Sequence, residues 1–250
     1  MWLTTPDTIK HMLVERQLEP VGDDASDQST RDWQNHGAKL APKETLRNIP
    51  VVSIGKPESW LLQDLYSPRK LSRPIRAKLS QEDFYLVRFS CSFRPIPGES
   101  RVEWACFRVT LLPHPSTGAQ PVAFDLYPQQ VVQEVKHRIK VTFNPLLKFQ
   151  ELEASFGSAE FGFEDTQQIP IISGTLGTSL DPSWSYAAGS KEEVQGIKWM
   201  YLLVKAPKGL ISGQALLELE ADVLVRGVRL PMTLWRQQEQ AAQRTVSLWG

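Results

Sequence analysis

Apolar and polar positions alternate most regularly near the end of the chain. Leu217, Leu219, Ala221, Val223 and Val225 share one parity, and Glu218, Glu220, Asp222 and Arg226 share the other. A period of two sends successive side chains to opposite faces of a strand, so this stretch predicts a half-buried β-strand. Gly227 then returns the chain through "VRLPMTLW" as the second arm of a hairpin. The same period runs through Tyr85, Val87, Phe89, Cys91 and Phe93, followed after the turn-rich "RPIPGES" by "RVEWACFRVTLLP". These two stretches predict another hairpin. Val102 and Trp104 on one parity, with Phe107, Val109 and Leu111 on the other, predict that its second strand is covered on both faces.

Val122–Leu126 predicts a short strand bounded by Pro128. Between residues 135 and 143, Val135, His137, Ile139, Val141 and Phe143 alternate with Lys136, Arg138 and Lys140. Leu152, Ala154 and Phe156 then oppose Glu151, Glu153 and Ser155, and "GIKWMYLLVKAP" supplies a long apolar strand with Trp199 in its core.

Helical signals lie at the ends and in one insert. Thr5, Pro6 and Asp7 resemble a capped helix start, with Ile9, Met12 and Leu13 at helical spacing and Pro20 as the stop. "KPESWLLQDLYSPRKL" predicts a short helix or irregular turn, and the stretch after Trp235 is rich in helix formers. The chain turns polar from Val21 to about Asn48, and residues 22–39 hold a single large apolar side chain, Trp33, so this segment predicts a tether to the main domain. The expected organisation is a short amphipathic helix plus polar tether over 1–48, a β-domain over 49–235 and a helical tail over 236–250. Strands with turn signals every 8–15 residues and no βαβ rhythm predict an antiparallel β-sandwich, with a half-open barrel as the other solution.

Composition changes this picture little. Apolar residues make up 41% and charged residues 22% of 250, ordinary for a soluble domain. With 28 basic and 28 acidic side chains the net charge is zero, which removes the electrostatic drive of nucleic-acid binders and favours a protein partner or self-association. Two cysteines and no apolar leader before Asp7, Lys10 and His11 fit a cytoplasmic protein. No run of residues has the length of a transmembrane helix.

Candidate chemistry is sparse. Cys91 and Cys106 lie within apolar strand patterns, where a thiol is ordinarily a small core residue; a bridge would need the two strands to oppose them. His11, His36, His114 and His137 have no metal-ligand spacing, and Asp23, Asp24 and Asp27 lack the glycine and glutamate of a calcium loop, so neither metal nor cofactor is expected. Lys136, Arg138 and Lys140 form a basic row fit for an acidic partner or for plain solvation. Trp184 follows Asp181 and Pro182, so a turn is expected to bring it and Tyr186 to a loop at the rim of the sandwich. There they would either stack on a ligand or cap the core. Trp33 would dock on a partner or fold back.

The expectation from sequence is a non-catalytic binding or scaffolding component of a complex. A membrane-acting protein whose alternating strands rearrange into a pore is the alternative. A hydrolase using Asp125, Glu134 or His137 is the third possibility.

Overall fold

A computed structural model describes residues 12–21, 48–134, 138–142, 171–188, 194–235, 239 and 241–250. Two antiparallel sheets face one another across a shared apolar core. Among the described residues fifteen strands run in chain order: β1 Met12–Gln17, β2 Glu19–Pro20, β3 Val51–Gly55, β4 Glu58–Leu61, β5 Glu82–Arg94, β6 Ser100–Leu112, β7 Val122–Tyr127, β8 Gln130–Glu134, β9 Arg138–Thr142, β10 Ile171–Thr175, β11 Ser183–Ala187, β12 Gly196–Pro207, β13 Gly213–Val225, β14 Val228–Thr233 and β15 Thr245–Trp249. The first sheet has the order β1-β3-β5-β12-β7, with β4 also on β5. The second has the order β2-β14-β13-β6-β11-β10-β8-β9, with β15 also on β13.

The strongest sequence signal gives the most regular strand. Along β13 buried and less buried positions alternate from Gly213 to Val225. It pairs with β14 through Arg226 and Gly227, whose φ of 48° and 88° are the two positive values of a tight hairpin turn. β5 and β6, by contrast, are not a hairpin. β5 pairs with β3, β4 and β12, whereas β6 pairs with β11 and β13, so "RPIPGES" carries the chain from one sheet to the other. Two thirteen-residue strands, each with a fully apolar inner face, bury more by facing than by pairing.

Nor is β6 covered on both faces. Asp222 pairs with Trp104 while the next residue, Val223, pairs with Val102, which leaves Glu103 as an extra residue in β6. Such a bulge reverses the parity, so Val102 faces inward on one side of it and Ala105, Phe107, Val109 and Leu111 face inward on the other. β5 does bury both faces at one end. Phe84, Leu86 and Leu203 of β12 are covered on the outside by the segment holding α1 (Leu62–Leu65), a 3₁₀ turn at Pro68–Lys70 and α2 (Arg73–Lys78), through Leu62, Leu71 and Ile75.

Both expected terminal helices are corrected. Met12–Gln17 is a strand on β3, with Val14 against the core and Leu13, Glu15 and Gln17 exposed. The Leu18 amide donates to the Pro50 carbonyl, and Glu19–Pro20 then joins β14 of the opposite sheet. The free edge of β3 offers hydrogen bonds and apolar cover that an isolated short helix lacks, and local propensity yields to it. At the other end, among the described residues, Ala241–Arg244 forms a helical turn, α3, before β15 joins β13. Trp249 there stacks on Tyr85 at 4.1 Å and donates its Nε1 hydrogen to the Leu210 carbonyl at 3.2 Å. Gly213 makes room for that indole, since a Cβ at this position would lie 2.3 Å from it.

Candidate functional site

The sequence places Trp184 and Tyr186 on a rim loop; the structure places them in the core. The chain turns earlier, where the Ser179 amide donates to the Leu176 carbonyl, and β11 begins at Ser183 and directs both rings inward, where each is fully buried. Trp184 packs against Phe89 and Phe107, and Tyr186 against Phe93. Burial raises the Tyr186 phenol well above its ordinary pKa. Both therefore belong to the interior and offer no ligand platform. Of the basic row, Arg138 and Lys140 lie in β9, in register with Glu134 and Val132 of β8. Lys136, His137 and Trp33 lie outside the described residues.

Cys91 and Cys106 are free and stand on different sheets. Burial pushes the Cys91 thiol up to about 12 and raises that of Cys106, so both remain protonated and unreactive at neutral pH. Lys198 of β12 sits opposite Cys91, with burial lowering its ammonium pKa.

Two features escaped the sequence reading. The first lies on the outer face of the β5–β12 sheet. Arg88 is 5% exposed, pairs with Glu58 of β4, and places its guanidinium 4.8 Å from the Trp199 ring and 5.6 Å from the Trp60 ring. Tyr201, in register with Arg88, completes an aromatic wall whose phenol is raised chiefly by burial and lowered by that cation. Trp199 is thus an outer-face residue of intermediate exposure, not a core residue, with Ile197 53% exposed on the same parity beside it. The alternating pattern placed Arg88 outward, but only the fold brings Trp60 beside it.

The second lies at the opposite edge from β1, where β7 leaves the first sheet and the chain turns through a cis Tyr127–Pro128 bond into β8 of the second. Asp125 is 1% exposed there. Its Oδ1 accepts from the Leu126 amide and from Gln129 Nε2, both at 2.8 Å, while the Gln129 carbonyl accepts from the Gly174 amide of β10 at 2.7 Å. Gly174 permits this close passage, because a Cβ would lie 2.4 Å from Leu126 Cδ1 and 2.5 Å from the Pro128 oxygen. Burial raises the Asp125 carboxyl pKa, against the lowering effect of its two hydrogen bonds. Asp125 is thus enclosed in a structural corner rather than offered to solvent as a hydrolytic acid.

Beyond that corner the sheet thins. Among the described residues β8 joins β10 over two residue pairs, Ile172 with Val131 and Ser173 with Gln130, and β9 pairs with β8 alone. No described helix is long and apolar enough to cross a membrane.

No family model matches the chain, and no curated protein matches it in sequence. Among solved structures it is similar to Clostridium perfringens delta-toxin, with a TM-score of 0.36 and 8% identity over 79% of this chain and 81% of that one. It is also similar to the Clostridium perfringens NetB toxin in its membrane-inserted form, with a TM-score of 0.30 and 8% identity over 74% and 86%. A structure described as a pore forming protein gives 0.29 and 8% over 80% and 88%. Likenesses of this size carry no argument about the chain.

Proposed function

We propose that the protein is a membrane-acting effector that releases the β8–β9 hairpin from its sandwich to enter a bilayer as part of a multi-copy barrel. One observation carries the reading: among the described residues this hairpin is held to the rest of its sheet by two residue pairs, whereas β13 is paired to β6 over twelve. Detaching it would break few ladder hydrogen bonds and leave the β5–β12 and β6–β13 layers closed.

The sequence of the hairpin suits the task. A membrane-crossing strand needs roughly 9–11 residues with one parity toward lipid. Ile139 and Val141 of β9, the latter in register with Val131 of β8, supply the apolar parity, and Arg138, Lys140 and Thr142 the polar one. Backbone groups in a bilayer must all be paired, so one hairpin cannot insert alone and several copies must close a barrel. The β13–β14 hairpin, equally amphipathic, is unsuited to release because β13 is the shared partner of β6, β14 and β15.

The test is leakage of dye from liposomes by the full chain, before and after limited proteolysis. A tethered variant, Val131→Cys with Ile172→Cys, joins positions that face each other across β8 and β10. Leakage by the wild type, its loss in the oxidised variant and its return on reduction are expected. Vesicles that stay sealed under all these conditions would overturn the reading.

A second reading, the binding or scaffolding component, is favoured by the half-exposed Trp60 and Trp199 around buried Arg88, next to exposed Ile197, since tryptophan is enriched where proteins meet. Trp199→Ala would then abolish co-purification of a partner while leaving liposome leakage unaffected.

A further inference from the structure

We infer that Asp125 and Gln129 form a clasp that holds the β8–β9 hairpin against the sandwich and sets how readily it opens. This rests on the release proposed above but concerns a different group of atoms. The clasp is a short hydrogen-bond relay across the place where the chain changes sheets. The Gln129 side chain binds the buried Asp125 carboxylate of β7, and the Gln129 backbone carbonyl receives the Gly174 amide of β10. One residue thus ties β7 of the first sheet to β10 of the second, immediately before the chain enters β8 at Gln130.

The geometry makes the relay hard to replace. Gly174 passes so near Leu126 and Pro128 that no side chain fits between the corner and β10. Asp125 Oδ1 has two donors, and its Oδ2, also buried, has no hydrogen-bond partner. Removing the Gln129 amide leaves a buried carboxylate with a single hydrogen bond, and a buried anion that loses a partner costs more than the bond itself is worth. The corner would relieve this by opening toward water, and β8, joined beyond it by two residue pairs, would open with it.

Backbone hydrogen exchange on the full-length chain tests the clasp without any membrane. In Gln129→Ala, exchange at residues 130–134 should rise about tenfold, the equivalent of one lost hydrogen bond to a charged group. Exchange along β13 should be unchanged. Asp125→Asn retains an acceptor oxygen for both donors and should keep β8 protected. Unchanged exchange at 130–134 in Gln129→Ala, or an equal rise in β13, would overturn the clasp. Liposome leakage by the same variants separates the two proposals. Faster exchange with sealed vesicles keeps the clasp and discards the membrane reading, while leakage with unchanged exchange does the reverse.

Discussion

The two edges of this sandwich are built in opposite ways. At one, a single segment from Met12 to Pro20 places β1 on the first sheet and β2 on the second, with Leu18 buried to 1% exposure between them. At the other, the chain crosses between sheets at Tyr127–Pro128 and then extends the second sheet by a hairpin that meets it over two residue pairs. Edge strands present unpaired backbone groups that proteins ordinarily protect. Here the first edge is sewn shut by a strand on each sheet, and the second ends, among the described residues, in the β8–β9 hairpin. The contrast teaches that the two edges are held differently: opening the first uncovers Leu18 of the main core, whereas opening the second begins at the corner around Asp125 and Gly174.

The largest effect should come from the sewn edge. Leu18→Ala removes a fully buried side chain where both sheets meet and should cost about 2–5 kcal/mol, read as a lower denaturation midpoint in urea. Exchange should quicken throughout both sheets, since the site belongs to the main core. A loss confined to β1 would show that the two edges are alike and sink the comparison. At the second edge, Gly174→Ala forces a Cβ to within 2.4 Å of Leu126 Cδ1 and 2.5 Å of a backbone oxygen, so the corner must move. A cost of about 1–3 kcal/mol is expected. Quicker exchange in β8 and β10, with β13 left protected, would sharpen the contrast; uniform loss would blur it.

What the sequence disclosed of this arrangement follows from how local each determinant is. The period of two in Gly213–Val225 needs no knowledge of neighbours, and both the strand and its turn at Arg226 and Gly227 were legible. The capping signals at Thr5, Pro6 and Asp7 are equally local. They pointed to a helix across Met12 and Leu13 because the competing edge of β3 lies some forty residues away in sequence. The alternation of Val14 with exposed Leu13 and Glu15 was present but too short to outweigh them. The parity reversal in β6 was visible as apolar residues on both parities; its cause, the extra residue Glu103, appears only in the register with β13. Trp60, Arg88 and Trp199 come from three separate strands, so no spacing could have united them. Trp184 illustrates the opposite failure: Asp181 and Pro182 suggest a turn, but the chain turns at residues 176–179 and already bonds to β6 at Leu180 and Pro182, so Trp184 falls inside the strand.

The smallest effect separates charge from hydrogen bonding at the second edge. Burial raises the Asp125 carboxyl above its ordinary 3.8, so the native protein holds this proton more tightly than the unfolded chain does. The stabilising contribution is therefore full below the ordinary value and is lost as pH rises through the raised one, leaving a cost at neutral pH. Asp125→Asn cannot ionise, yet its side-chain oxygen still accepts from Leu126 and Gln129, and its amide nitrogen takes the place of the partnerless Oδ2. Urea unfolding of both proteins over a pH series should therefore give curves that diverge in one direction only. The stability of the variant relative to wild type should grow as pH climbs from the ordinary carboxylate value, then level off once Asp125 is ionised in the native state. Parallel curves would mean that water reaches Asp125 freely and that the corner is already open, in which case Gln129 has nothing to hold closed.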